Sequence, residues 1–359
     1  MSTPYHKLPS YTRWSKAVAG LSYQDVDPVV SFPFKIAPTD KVATAGSCFA
    51  QHIARHLREK GFAYFVTEIG HPLGTAEDRA MFNYGTFSAR YGNIYTARQL
   101  LQTALRAVGS FVPSEEIWSL PTGRFVDPFR PAIQPEGFAS KEELLEDREQ
   151  HLSAIRRMLR ELDVFVFTLG LTEAWRSRDD GALFPVCPGV NGGEFSPEKY
   201  EFVNLNIYEN IADLQQFVDL LNTMNPSARI VLTVSPVPLI ATAENRHALV
   251  STTYSKSVLR TASEEVTRRY DHVAYFPSYE IITGIHARGR YFAEDLRSVT
   301  DEGVEHVMRL FLRHATTGLD VERLAGPATK CSDSEAFVER MKEVTKVICE
   351  EELVEARLR

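Results

Sequence analysis

The stretch Val42-Ala43-Thr44-Ala45-Gly46-Ser47-Cys48-Phe49-Ala50 runs straight into Gln51-His52-Ile53-Ala54-Arg55-His56-Leu57. A short apolar run ends in a glycine and two side chains of nucleophilic type. Phe49, Ile53, Leu57 and Phe62 then follow at roughly helical spacing. The reading is a strand, a tight turn and a helix start. Glycine permits the sharp turn. The helix N-terminus supplies unpaired N–H groups and a partial positive charge, which favour a thiolate or an oxyanion. The same residues equally describe a buried βα turn in which Cys48 only packs.

Working outward, strands alternate with helices. A strand over 40–45 and a helix over 48–60 are followed by a strand from Phe62 to Val66 and a turn-rich loop, Glu68 to Thr75. A helix is expected over 95–108. Ser140-Lys141-Glu142-Glu143 is a capping box. It opens a helix to about Leu162, with Leu145, Leu152, Ile155 and Leu159 toward the core. Val164 to Leu169 is almost wholly apolar, as suits a strand covered on both faces. Further helices are expected over 206–223, 253–269 and 300–314, with strands at 230–234 and 273–276. The fold class is therefore α/β, a three-layer α/β/α sandwich around a parallel sheet. Ligands in such folds bind beyond the carboxyl ends of the strands.

Residues 1–39 read as an irregular lead-in pinned by Trp14, Tyr23, Phe32 and Phe34. The body spans 40–315, with insertions near 110–139 and 176–203. Residues 316–359 form a C-terminal helical extension, with an amphipathic helix over 333–357 opened by a second capping box, Ser332 to Glu335, and suited to a surface or a homodimer contact.

Of 359 residues, 44% are hydrophobic and 24% charged, a globular composition. A net charge of −7 argues against nucleic acid as the main partner. Cys48, Cys187, Cys331 and Cys349 are far apart, so neither a zinc ribbon nor a disulfide framework is expected. No HExxH or phosphate-binding glycine loop occurs, and no metal or cofactor is expected. The polar, proline-broken N-terminus lacks a signal-peptide pattern, and no apolar run is long enough to span a membrane. A cytoplasmic location is expected.

Gly46-Ser47-Cys48-Phe49-Ala50 resembles the signature of the GSCFA domain family, which looks like a divergent branch of the SGNH/GDSL-type hydrolases and acyltransferases. Gly92-Asn93-Ile94-Tyr95-Thr96, Leu169 to Trp175, Thr233 to Leu239, Tyr254 to Arg260 and Tyr275 to Glu280 fit the same family. The resemblance covers roughly 40–315. It implies a flavodoxin-like topology and covalent acyl transfer, on an ester or carbohydrate substrate and with an acyl thioester as a second donor class. Laid on this sequence, Gly46 keeps the first glycine in register and Cys48 takes the nucleophile position. A shift of one would give that role to Ser47. Gly74 is the implied oxyanion glycine. Gly170-Leu171-Thr172-Glu173 replaces G-x-N-D, with the Thr172 hydroxyl as donor.

The last block departs from the pattern. Asp295-Leu296-Arg297-Ser298 falls where D-x-x-H is implied, so Ser298 stands in the histidine's place. His247 is the leading substitute base, then His286 and His71. His52 lies four residues from Cys48 on one helix face, and His306 reads as structural. Glu173 is a candidate to orient a base or hold substrate, and Arg297 to bind an anion. Lys256 and Arg260 read slightly better as a solvated face than as an anion site. The leading function is an ester hydrolase or O-acyltransferase. The rivals are a non-catalytic binding protein for a small ligand and, more distantly, a cysteine peptidase-like activity.

Overall fold

The structure, a computed structural model, describes residues 3–317. The expected C-terminal helix over 333–357 lies outside them. Four parallel strands form the centre: β1 (Val42–Gly46), β2 (Val164–Leu169), β3 (Arg229–Val234) and β4 (Val273–Tyr275), side by side in that order. The helices that matter for the site are α1 (Phe49–Glu59), α2 (Ala97–Ala107), α3 (Lys141–Glu161), α4 (Ile207–Met224), α5 (Ala248–Arg269) and α6 (Asp301–Ala315).

Alternation along the strands makes the layers. Ala43 and Ala45, Phe165, Phe167 and Leu169, and Ile230, Leu232 and Val234 face a core shared with α2, α3, α4 and α5. Val42, Val164, Val166 and Val231 face the opposite core, built with α1, α6 and Ile36. Because both faces are covered, these strands carry no polar alternation.

The expected second strand is reduced to one parallel bridge, Tyr64 to Val42, beside β1. Its backbone is diverted on either side: Ala63 N–H bonds the Pro38 carbonyl and Thr67 N–H bonds that of Ser88. With Tyr64 counted as an edge, the chain order across the sheet is 2-1-3-4-5, the flavodoxin-like order.

Other details differ from expectation. Ser140 caps α3, but Glu143 returns its bond to the Ala139 N–H rather than to Ser140. The buried stripe of α3 holds Leu144, and Leu145 is 41% exposed. α5 starts at Ala248, earlier than the periodicity implies, because His247 caps it. Tyr23, Phe32 and Phe34 pack on the body, whereas Trp14 is 66% exposed. Parts of the 176–203 region join a three-stranded antiparallel sheet, Leu183–Phe184, Glu173–Ser177 and Tyr200–Asn204. Its strands are short and carry charged pairs such as Arg176–Glu201, so no apolar periodicity announced them. No helix among the described residues is long and apolar enough to cross a membrane.

Candidate functional site around the Gly46–Cys48 turn

The register brings Gly46, Thr168 and Thr233 level at the carboxyl ends of β1, β2 and β3. At Gly46 the chain leaves the sheet with φ +140°, and an added Cβ would lie 2.4 Å from the Thr168 carbonyl oxygen. Only glycine fits that conformation and that approach. Ser47 and Cys48 follow, both buried, and Cys48 is the N-cap of α1 with no side-chain capping bond. The Ser47 and Cys48 carbonyls accept from the Ala50 and Gln51 N–H groups, which starts the helix. Among the described residues, the buried Ser47 hydroxyl has no hydrogen-bond partner.

Two loops close on this turn. In the first, Ile94 N–H donates to the Gly46 carbonyl at 2.9 Å, and Gln51 Nε2 donates to Asn93 Oδ1 at 3.1 Å. In the second, Gly170 packs so near that an added Cβ would lie 3.0 Å from Ser47 Cβ. Tyr95 ties the two loops: its carbonyl accepts from both Gly170 and Leu171 N–H. α5 holds the second loop from behind. Lys256 Nζ donates to the Gly170 carbonyl at 2.6 Å, and the Ser255 hydroxyl accepts from Thr172 N–H at 3.1 Å. Lys256 is 1% exposed, which corrects its reading as part of a solvated face; Arg260 pairs with Glu264 and Glu280.

The donors of the Gly170–Thr172 loop are committed within the protein. The Thr172 hydroxyl donates to Asn204 Oδ1 at 2.7 Å. Ser47 N–H donates to the Thr168 carbonyl at 3.1 Å. Glu173 accepts from the Thr242 hydroxyl at 2.8 Å, and burial raises its carboxyl above the ordinary range.

The remaining sequence candidates stand elsewhere. The nearest groups around Gly74 are His71, Asp78 and Arg79, and His71 is exposed with Nδ1 accepting from Leu73 N–H. His247 uses Nδ1 to cap α5 through Leu249 N–H. Asp295 accepts from the N–H groups of Arg297 and Ser298 and from the Ser298 hydroxyl at 2.6 Å, so its carboxylate closes its own turn. Those bonds also lower its pKa. His286 packs beside Gly284, and burial lowers its pKa. His306 Nδ1 and the Tyr291 hydroxyl share a hydrogen bond of 2.6 Å. His52 stacks near Phe49, and burial, with Arg55 and His56 nearby, holds its pKa near 4.

The structure thus brings together Gly46, Ser47, Cys48, Gly170 and Thr172. It adds Gln51, Asn93, Tyr95, Ser255 and Lys256, to which spacing assigned no role. The sequence signal for Asn93 and Tyr95 was their place in Gly92-Asn93-Ile94-Tyr95-Thr96, one of the segments that fit the family resemblance. Lys256 and Ser255 lie in a helix whose polar residues point inward, a pattern that periodicity alone reads as surface.

No curated protein matches this chain. A solved structure from Streptococcus pneumonia, described provisionally as a platelet activating factor, is 14% identical with a TM-score of 0.26. The match covers 48% of this chain and 66% of that one, so it spans just under two thirds of that protein. The GSCFA family model matches residues 41–311, which takes in the turn, both closing loops and α5. The chain belongs to the GSCFA family.

Proposed function

We propose that this protein is an ester hydrolase or O-acyltransferase that works through a covalent acyl-enzyme at the Ser47–Cys48 turn, with Cys48 as nucleophile. The observation that carries the reading is the position of Cys48 at the N-terminus of α1, beyond the carboxyl end of β1. The helix dipole there lowers the cost of a thiolate. Ser47 is the weaker choice, because its hydroxyl has no partner to take its proton.

In the reaction, Cys48 Sγ attacks the ester carbonyl carbon and the C–O bond breaks. The alcohol leaves with the proton first carried by the thiol. Water, or an acceptor hydroxyl, then takes the acyl group and restores the thiol. Since Thr172 and Gly170 donate within the protein, and the Ala50 and Gln51 N–H groups close the first turn of α1, the oxyanion is left to the partial positive charge of the α1 N-terminus. A carbohydrate ester or hydroxyl is the substrate class for this reading.

A second reading, ligand binding without turnover, is favoured by Asp295, whose carboxylate is closed on Ser298 rather than on a histidine. Intact-mass spectrometry after brief exposure to a short-chain p-nitrophenyl ester separates the two. An adduct that turns over and is lost in Cys48→Ala supports acyl transfer. An adduct lost only in Ser47→Ala moves the nucleophile by one residue. Neither adduct nor p-nitrophenol release, with an acyl thioester also inert, leaves the binding reading.

A further inference from the structure

Away from the turn, a buried ionic cluster joins the insertion to α3. Arg90 pairs with Asp147 at 2.7 Å, Arg130 with Asp147 and Asp127, and Arg148 with Asp127 at 3.2 Å. Burial of such charges is tolerated because each guanidinium meets a carboxylate. Arg106, on α2, is the exception. It is 7% exposed and has no carboxylate within ion-pair distance among the described residues. Its guanidinium stacks on Phe129, 3.8 Å from the ring centre.

Arg106 lines a cavity of about 20 Å³ with Asn93, Gln99, Gln102, Thr103 and Phe129. Among the described residues, no acidic side chain lines it. Gln99 Oε1 is used by the Tyr95 and Thr96 N–H groups, so its NH₂ group remains as a donor. Gln102 is committed at both ends, to Gly181 and Leu183. Thr103 adds a hydroxyl. The space therefore has a cation and neutral donors but no counter-charge. Burial pulls the Arg106 pKa down to about 10, with Arg148 and Arg130 acting in the same direction against Asp127.

We propose that this cavity is a binding site for a small monovalent anion, held by Arg106 with Gln99 and Thr103. Room for about one water-sized guest starts at roughly 10–15 Å³, so the cavity admits a halide or the end of a carboxylate group and excludes sulfate or phosphate. A bare water would fill the space but add no negative charge to Arg106, on which Asp127 and Glu116 act only from beyond ion-pair distance. The site does not depend on the acyl-transfer reading.

The test uses the full chain. Thermal unfolding is followed in chloride, bromide, formate and sulfate at matched ionic strength, for wild type, Arg106→Gln and Thr103→Val. The expected result is a saturable rise in midpoint with halide or formate, of roughly 5 °C at a hundredfold excess over Kd. Sulfate gives none, Arg106→Gln abolishes the rise and Thr103→Val weakens it. A response to halide alone limits the site to a spherical ion; a response to formate as well shows that it also admits a carboxylate group. Bromide-soaked crystals should give an anomalous peak beside Arg106, a readout that stands even where Arg106→Gln fails to fold. No peak there, or the same rise with sulfate or in Arg106→Gln, overturns the proposal in favour of water alone.

Discussion

Gly170 and Ser47 are in backbone-to-side-chain contact across the βα turn: a methyl group on Gly170 would lie 3.0 Å from Ser47 Cβ and 3.3 Å from the Tyr95 carbonyl oxygen. Two loops far apart in sequence are thereby pressed on one residue. Gly170→Ala must displace Ser47 or Tyr95. Overpacking of this kind costs about 1–3 kcal/mol. Urea unfolding should show that loss, and any ester turnover should fall with it. An unchanged midpoint would mean that the loops give way easily.

Ser255 is fully buried and is the acceptor for Thr172 N–H. Ser255→Ala leaves that N–H without a partner, at a cost of about 1–3 kcal/mol. The loss should be local as well as global. Amide exchange at Thr172 should accelerate more than exchange in β2.

Asp127 is 1% exposed and neutralises both Arg130 and Arg148. Removing one partner of a buried ion pair costs about 3–5 kcal/mol. Asp127→Asn should therefore destabilise far more than Glu161→Gln, whose partners Lys41 and Arg157 are exposed. Paired denaturation curves decide the point; similar midpoints would refute it.

Acid should act in two windows. Burial holds His52 and His306 near pKa 4, with Arg55 and His56 adding to the effect at His52, and Arg309 and His286 at His306. The unfolded chain protonates a histidine near 6.5, so the unfolded state binds the extra protons. Stability is therefore complete above about pH 6.5 and falls toward pH 4, by up to roughly 3 kcal/mol per histidine. His52→Phe should flatten part of this slope. Below that lies the second window. Burial alone would raise the Glu68 carboxyl, but His151, Arg130 and the Arg90 N–H outweigh it and hold it near 2. Its contribution is present above about pH 4.5 and lost as pH falls toward 2. A single transition confined to pH below 4 would contradict the histidine assignment.

The sequence by itself determined the layered sheet and the turn. Continuous apolar runs such as Val164 to Leu169, set between helical stretches, suit strands covered on both faces, and alternation fixes which residues meet each core. Gly46 fixed where β1 ends, because its φ and its approach to Thr168 exclude a side chain. A local signal also located the Ser140 cap of α3, though not its reciprocal bond, and missed the His247 cap of α5. Only the tertiary structure decided what surrounds the turn. Asn93, Gly170 and Lys256 come from three separate segments, and no local periodicity relates them. Lys256 lies on a helix face that polarity marks as wet, yet the Gly170 carbonyl and the packing of α5 make it dry. Arg106 is the same case. Its charge reads as surface in the chain, and its burial without a carboxylate exists only once α2, Phe129 and the antiparallel strands meet around it.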